Sequence, residues 1–471
     1  MRRNAHLSAD LWRVLPAIFC LFCLGLGGCG SMPDAVALIH DRQSYRRPRV
    51  ETAQGPLTAK QSAAIIKSLE IRSHDTTMLQ RHLAFEQAIG GSPLTTGNNV
   101  RLLEDGPETY RAMFAAIEGA SHSINLETYI FDSDEIGEQF AHALVQERSR
   151  GVQVNVLYDG FGSLLTKSAF IDDMRSSGIK VVEFNPVNPF AARGWWAPTH
   201  RDHRKLLVID GKTAFVGGIN ISGVYSGGRR LSLKKTPPAQ EIVKSWRDTD
   251  VEVNGPAVSE FQESFMENWR EQVGEKLDFD DYFPALEATG SEIVRVLWSS
   301  PKEFSTIYVT MISAIRNAER NVYITDAYFA PGDQMLESLE DAARRGVDVR
   351  LLLPGKNNEP LIGPAARSHF AELMNAGVKI YLYRGKMLHA KTATVDGVWS
   401  TVGSSNLDWW SIARNDEINA VVLSVRFGAQ MNSMFAKDLS ESDAVDPAAW
   451  QHRSIFERGA ESVARLLQPL L

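Results

Sequence analysis

The sequence predicts an α/β protein made of two tandem domains, each a mostly parallel sheet flanked by helices. The chain runs through the same order of elements twice, and such an internal repeat has to be recognised before any fold is assigned. Within each copy, glycine-led apolar strands alternate with helical stretches of about 10–15 residues, the pattern of βαβ units. A length of 471 residues, 44% hydrophobic and 23% charged, leaves room for two large cores. It excludes a disordered tail, a collagen-like fibre and a polytopic membrane protein.

Taken in chain order, residues 1–28 read as a lipoprotein signal peptide. Arg2, Arg3 and Arg13 precede an apolar run from Val14 to Gly28 that is short for a membrane span. Leu26-Gly-Gly-Cys29 resembles a bacterial lipobox, which makes Cys29 the lipidation site; several acyl chains give a stable anchor. The competing reading is an uncleaved signal anchor. The lipobox implies a cell-envelope protein facing the periplasm, and the absence of Asp after Cys29 favours the outer membrane. All three cysteines, Cys20, Cys23 and Cys29, lie in this region, so no disulfide framework exists downstream. Residues 29–94 read as a tether followed by a leading helix from Thr58 to Ile89.

The first domain is assigned to residues 95–275. A helix from Glu108 to Ala120 precedes the strand Ser123–Phe131, then a helix, the strand Gly151–Asp159, another helix, and Gly178–Phe184. The second domain, residues 290–430, repeats this with a helix at Tyr308–Ala318 and strands at Asn321–Phe329, Gly346–Pro354 and Gly377–Tyr383. The first copy carries an insertion at Asn185–Pro198, with Trp195 and Trp196, and a basic loop from Tyr225 to Lys244. Periodicity breaks near residues 272–292, and residues 431–471 form a helical extension.

Each copy ends in a histidine motif. His203-Arg-Lys205 is followed by four apolar residues, Asp210, and six residues on by Gly217-Gly-Ile-Asn220. His389-Ala-Lys391, 186 residues later, is followed by four residues, Asp396, and six residues on by Gly403-Ser-Ser-Asn406. On a strand, positions two apart share a face, so each histidine and its lysine point the same way. One face thereby gains an imidazole, an ammonium and an amide. A single His-x-Lys would be noise; two complete copies at equivalent places in a repeat are not.

Two copies of His-x-Lys-x4-Asp-x6-Gly-(Gly/Ser)-x-Asn resemble the signature of the phospholipase D superfamily. The resemblance covers residues 95–425, and the phrases Asp248–Ala257 and Thr401–Asp408 are similar to its bacterial cardiolipin synthase branch. It implies two phospholipase D-like domains about a pseudo-twofold axis with one shared active site inside a monomer. It also implies His203, Lys205, Asp210, His389, Lys391 and Asp396 as the catalytic motif residues, with the two aspartates bracing the loops after their strands. By the same resemblance His203 attacks phosphorus to form a phosphohistidine, while His389 protonates the departing alcohol and then deprotonates the acceptor. Asn220 and Asn406 bind the phosphoryl oxygens with the lysines. Glu417 is implied as the tautomer-fixing partner of the second histidine, and Asp248 as that of the first.

The chemistry asks for the same groups. An anionic phosphodiester is a poor electrophile; without a metal its cleavage needs a neutral nucleophile, an acid, and fixed positive charge on the nonbridging oxygens. No cofactor and no metal is implied, since His-Glu-x-x-His, clustered cysteines and calcium-loop patterns are absent. Gly211-Lys-Thr213 mimics the end of a phosphate-binding loop, but Leu206 stands where the loop needs glycine. His200 either touches substrate or sits in its loop. Trp409 and Trp410, like Trp195 and Trp196, suit an interfacial belt beside a lipid site. The chain departs from the family at Gly218, where serine is frequent, and at Leu407-Asp-Trp-Trp-Ser411, where cardiolipin synthases commonly carry an Arg-Ser pair.

The expected function is a cardiolipin synthase-type phosphatidyltransferase acting on phosphatidylglycerol, with phosphatidylethanolamine a second candidate. The alternatives are a hydrolase releasing phosphatidic acid and a metal-independent nuclease. A net charge of −7, which becomes −9 once residues 1–28 are removed, argues against nucleic acid as the partner. The sequence leaves the acceptor alcohol and the oligomeric state open.

Overall fold

The computed structural model describes residues 33–41, 48–74, 76–89, 92–191, 197–227, 245–274, 277 and 282–470. The signal segment with Cys29, the Trp195-Trp196 pair and most of the basic loop lie outside the described residues.

The two copies are visible as two sets of seven strands. In the first set these are β1 (Leu94–Glu104), β2 (Ser123–Thr128), β3 (Gln153–Asp159), β4 (Lys180–Phe184), β5 (Lys205–Ile209), β6 (Thr213–Gly217) and β7 (Thr249–Asn254). In the second set they are β8 (Glu292–Ser299), β9 (Asn321–Thr325), β10 (Asp348–Pro354), β11 (Lys379–Tyr383), β12 (Thr392–Val395), β13 (Trp399–Gly403) and β14 (Asn415–Leu423). Each strand of the second set repeats the pairing of its counterpart seven numbers earlier. The first half orders as β4-β3-β2-β5-β6-β7-β1 and the second as β11-β10-β9-β12-β13-β14-β8. Antiparallel pairing of β1 with β8, through an irregularity at Glu292/Ile293, fuses the halves into one sheet.

The sheet is mixed, which corrects the expectation of mostly parallel strands. Among these fourteen strands only the neighbours β2, β3 and β4, and likewise β9, β10 and β11, pair in parallel, each joined to the next by a helical crossover. The histidine motif of each half opens an antiparallel hairpin, since Asp210-Gly211 and Asp396-Gly397 turn the chain within two residues of the strand ends. Asp210 and Asp396 both take left-handed backbone conformations at φ 52°, a conformation that aspartate tolerates better than most residues.

The N-terminal segment is less a tether than expected. Val50–Thr52 pairs in parallel with the start of β1, and the expected leading helix is two helices, Ala59–Arg72 and Met78–Ile89. Their buried side chains, Leu69, Leu79, Leu83 and Phe85 among them, pack on Ile312 and Ile315 of the second half's first helix. At the other end, the boundary at residue 430 falls inside the helix Val425–Ser440. Phe427, Met431 and Met434 of that helix join a core with Val100, Val251, Val294, Val296 and Ile418, so one apolar layer runs under both halves.

Candidate active site

Both histidine motifs reach the same edge of the sheet. β5 and β12 begin at that edge, while β2 and β9, antiparallel to them, end there; Thr128 pairs with Lys205 and Thr325 with Thr392. Two tyrosines beyond these ends, Tyr129 and Tyr328, flank the motifs. Tyr129 meets the His203 ring edge-on at 5.0 Å with Lys205 5.1 Å above its own ring; Tyr328 stands 5.9 Å from His389 with Lys391 at 5.8 Å.

The halves are clamped crosswise. Arg201-Asp202 pairs in parallel with Asn415-Asp416, and Leu388 bridges Arg247 in the same sense. The His203 amide donates to the Asp416 carbonyl at 2.9 Å, and the His389 amide to the Arg247 carbonyl at 2.7 Å. The residue after each of these carbonyls is a carboxylate, so each histidine receives its partner from the other half. His203 Nδ1 lies 3.0 Å from both Glu417 carboxylate oxygens, and His389 Nδ1 lies 2.7 Å from Asp248 Oδ2. This reverses the expected assignment: Glu417 serves the first histidine and Asp248 the second. The reason is topological, because β7 and β14 are near-central strands whose leading ends project across the pseudo-twofold axis.

The carboxylates are set differently. The Ser404 hydroxyl donates to Glu417 Oε2 at 2.5 Å. In the first half Gly218 stands in that place, and a β-carbon there would lie 2.1 Å from Asp248 Oδ1. The departure from the family pattern thus leaves room for Asp248 to approach His389. Tyr225 lies nearby, its hydroxyl 3.3 Å from His389 Nδ1 and accepting from Asn220 Nδ2 at 2.9 Å.

All of these groups are buried, and burial decides their ionisation. It pulls His203 down to about 4 against the opposing pull of Glu417. It pulls His389 down to about 3, helped by Lys391 and opposed by Asp248. Burial brings Lys205 to about 7, the field of Glu417 resisting the shift and that of Lys391 adding to it, while Lys391 is also lowered. For the carboxyls, burial alone acts upward, but His203 beside Glu417 and His389 beside Asp248 bring both below the ordinary range. The site therefore holds two neutral imidazoles, each with an ionised carboxylate on Nδ1. That fixes the tautomer with Nδ1–H donated and the Nε2 lone pair free.

His203, His389, Asn220 and Asn406 all line one cavity of about 570 Å³, together with Tyr129, Tyr225, Trp246, Tyr328, Asp408 and Trp410. Lys205 and Lys391 are tied back to the carbonyls of His203 and His389 beneath it. Asn220 accepts from the Ile130 amide through Oδ1 and spends one amide hydrogen on Tyr225. Asn406 Nδ2 reaches Ser411 Oγ at 3.4 Å, and its Oδ1 has no hydrogen-bond partner among the described residues.

Asp210 and Asp396 are not in the site. Each lies at the far end of its strand, where Asp210 accepts the amides of Ser121, His122 and Ser123, and Asp396 those of Glu319, Arg320 and Asn321. The bracing they provide is of the free amides that open β2 and β9. His200 turns its Nε2 to Asp416 Oδ1 at 2.9 Å, helping hold the segment that carries Glu417. Trp410 lines the cavity, with its Nε1 on the Leu470 carbonyl at 2.8 Å.

Sequence reasoning missed Tyr129, Tyr225, Tyr328, Trp246 and Asp408. The signal for two of them was present, since each follows the same strand of the repeat. Asp408 caps the short helix Trp409–Ala413 by accepting from the Ser411 amide at 2.7 Å, and burial raises it to about 7. Asp326, behind it, is pushed up to about 8 by burial and by Asp408. Among the described residues no group of three or more His, Cys, Asp or Glu is placed to hold a metal ion.

Comparison with known proteins agrees with this geometry. Residues 113–225 and 311–439 match the family described as "Cardiolipin synthase, PLD-like domain". A cardiolipin synthase of Geobacillus thermodenitrificans is 34% identical over 414 residues, which cover 87% of this chain and 79% of that protein. Cardiolipin synthase 1 of Bacillus cereus is 34% identical over 396 residues, 82% of this chain and 75% of the relative. In fold, the crystal structure of a phosphatidylserine synthase from Haemophilus influenzae superposes with a TM-score of 0.57 at 14% identity, covering 79% of this chain and 95% of that one.

Proposed function

The chain belongs to the phospholipase D superfamily, in its cardiolipin synthase branch, and is a phosphatidyltransferase; we propose that it transfers the phosphatidyl group of phosphatidylglycerol to the alcohol of a second lipid through a phosphohistidine on His203. The observation that carries this is the crossed pair of histidine–carboxylate dyads opening onto one cavity.

The steps follow from the protonation states. Nε2 of neutral His203 attacks phosphorus while Glu417 stabilises the imidazolium that forms, the triad logic without a serine. Lys205, Lys391 and the remaining amide hydrogens of Asn220 and Asn406 neutralise the nonbridging oxygens. The P–O bond to glycerol breaks, and the leaving oxygen takes a proton from His389 Nε2. His389 is neutral in the empty site because burial and two ammonium groups disfavour its charge. A phosphodiester anion between those ammonium groups offsets that effect, and the imidazole gains its proton as substrate binds. In the second half-reaction neutral His389 removes the acceptor hydroxyl proton, the alkoxide attacks phosphorus, and His203 is released.

No helix among the described residues is long and apolar enough to cross a membrane. We propose that the chain is held at the membrane by acylation of Cys29, on the periplasmic face of the envelope, with the outer membrane favoured.

The test is incubation of the enzyme with phosphatidylglycerol, with and without phosphatidylethanolamine, followed by mass spectrometry of the lipids beside the His203→Ala variant. A four-chain lipid absent from the variant is expected. Phosphatidic acid alone would make the enzyme a hydrolase, and no lipid product would overturn the reading.

A further inference from the structure

The C-terminal helix Ile455–Leu466 is packed inside out. Its buried positions are Glu461 and Ala464. Glu461 is held by Arg453 at 2.8 Å and by Arg367 at 3.8 Å. The opposite arc carries Ile455, Phe456, Val463 and Leu466, exposed at 78%, 87%, 55% and 81%. On a 3.6-residue period these four fall on one side, with Gly459 between them and Ala460 at their edge, while Glu457, Arg458, Glu461 and Arg465 fall on the other. A helix meant only for water turns the apolar arc inward; this one anchors itself by ion pairs and keeps the arc out. An apolar face of this kind with arginines on the polar side is the pattern of a helix lying in a membrane interface.

The face is continuous with the active site. Leu470, at the end of the turn after the helix, lines the cavity and is pinned by Trp410. Leu361, at the start of the helix that Ile455–Leu466 packs on, and Phe161 also line the cavity and are 42% and 51% exposed. Leu164, on the same loop as Phe161, is exposed as well. Arg414 lies over the Trp410 ring at 5.2 Å, which puts a cation at the rim. A cavity of about 570 Å³ encloses a small molecule; the acyl chains of a phospholipid have to leave through this apolar mouth.

We propose that the exposed face of Ile455–Leu466 lies in the interface of an anionic phospholipid bilayer and sets the cavity mouth against it, so that a lipid head group enters without its chains leaving the hydrocarbon. This rests on the lipid-substrate reading above. It assigns membrane contact to the C-terminal helix, independently of any anchor at Cys29.

Two measurements on the full-length protein, reconstituted on vesicles of phosphatidylethanolamine and phosphatidylglycerol, test it. A photoreactive benzophenone amino acid at position 456 or 466 is expected to form adducts with lipid. Adducts with protein would make the face a protein interface, and none at either site would leave it in water; both outcomes overturn the proposal. The combined variant I455S/F456S/V463S/L466S is expected to lower the ratio of turnover on vesicles to turnover on dispersed short-chain phosphatidylglycerol by about tenfold or more. An unchanged ratio would overturn the proposed role in setting the site against the bilayer. If no lipid in either form is turned over, the phosphatidyltransfer reading fails instead, and the adducts still decide where the helix lies.

Discussion

At the scale of single residues, the site stores its chemistry as suppressed charge. Burial lowers His203 to about 4, His389 to about 3 and Lys205 to about 7, so the empty cavity has shed protons that an incoming anion calls back. The sign follows from linkage. The ammonium form of Lys205 is already present well below pH 7, and above that pH it must be regenerated on binding. Binding of dimethyl phosphate, whose own charge is constant over this range, should take up about one proton at about pH 6, the one His389 gains, and close to two at about pH 8, where Lys205 regains its proton as well. The fall of affinity with pH should steepen through about 7, by at most about tenfold per pH unit for the second proton. Titration calorimetry in buffers of different ionisation enthalpy measures the uptake; equal uptake at about pH 6 and about pH 8 would show that Lys205 is charged in the empty site.

At the scale of elements, the repeated spacing of the motif separates into two jobs at opposite ends of one strand. His203 lines the cavity at one end of β5 with Lys205 beneath it, while Asp210 gathers three amides at the other. Asp210→Ala should therefore destabilise the protein by about 2–3 kcal/mol, the range for losing charge-assisted hydrogen bonds, while the folded fraction keeps its turnover. Chemical denaturation paired with activity per folded enzyme checks this; lost turnover at unchanged stability would return Asp210 to the catalytic group. The helix Val425–Ser440 offers a second case. Asp438 grips Arg247 through two bonds of 2.8 and 2.9 Å, and Arg247 is the residue before Asp248. Asp438→Ala leaves a buried guanidinium without its main partner and should cost roughly 3–5 kcal/mol, read from the denaturation midpoint. Loss of stability below about 1 kcal/mol would mean that Asp105, 3.5 Å from the guanidinium, already suffices.

At the scale of the whole molecule, the repeat was legible because it is written locally. Glycine-led strands, helical spacing and the two His-x-Lys motifs each depend on neighbours in sequence, and both motif histidines and both asparagines line one cavity. The crossing of the carboxylates was not legible. Glu417 is 28 residues from His389 and 214 from His203, and proximity in the chain favours the wrong partner; only the strand order, with both halves meeting at β1 and β8, brings it to the right one. The mixed sheet was missed for a related reason, since apolar runs report burial and not direction. The exposed face of Ile455–Leu466 was hidden differently: periodicity reveals an amphipathic helix but not which of its faces the rest of the protein covers. Neither half alone holds a histidine with its carboxylate, so the site exists only in the assembled chain.

The central claim is that one histidine of this crossed pair carries the phosphatidyl group while the other moves protons. Rapid denaturing quench during turnover of a phosphatidyl p-nitrophenyl ester, whose leaving group needs no proton, followed by peptide mass spectrometry, tests it directly. The expected adduct lies on the peptide containing His203, persists in His389→Ala and vanishes in His203→Ala. An adduct on His389 that persists in His203→Ala would exchange the two roles and contradict the account.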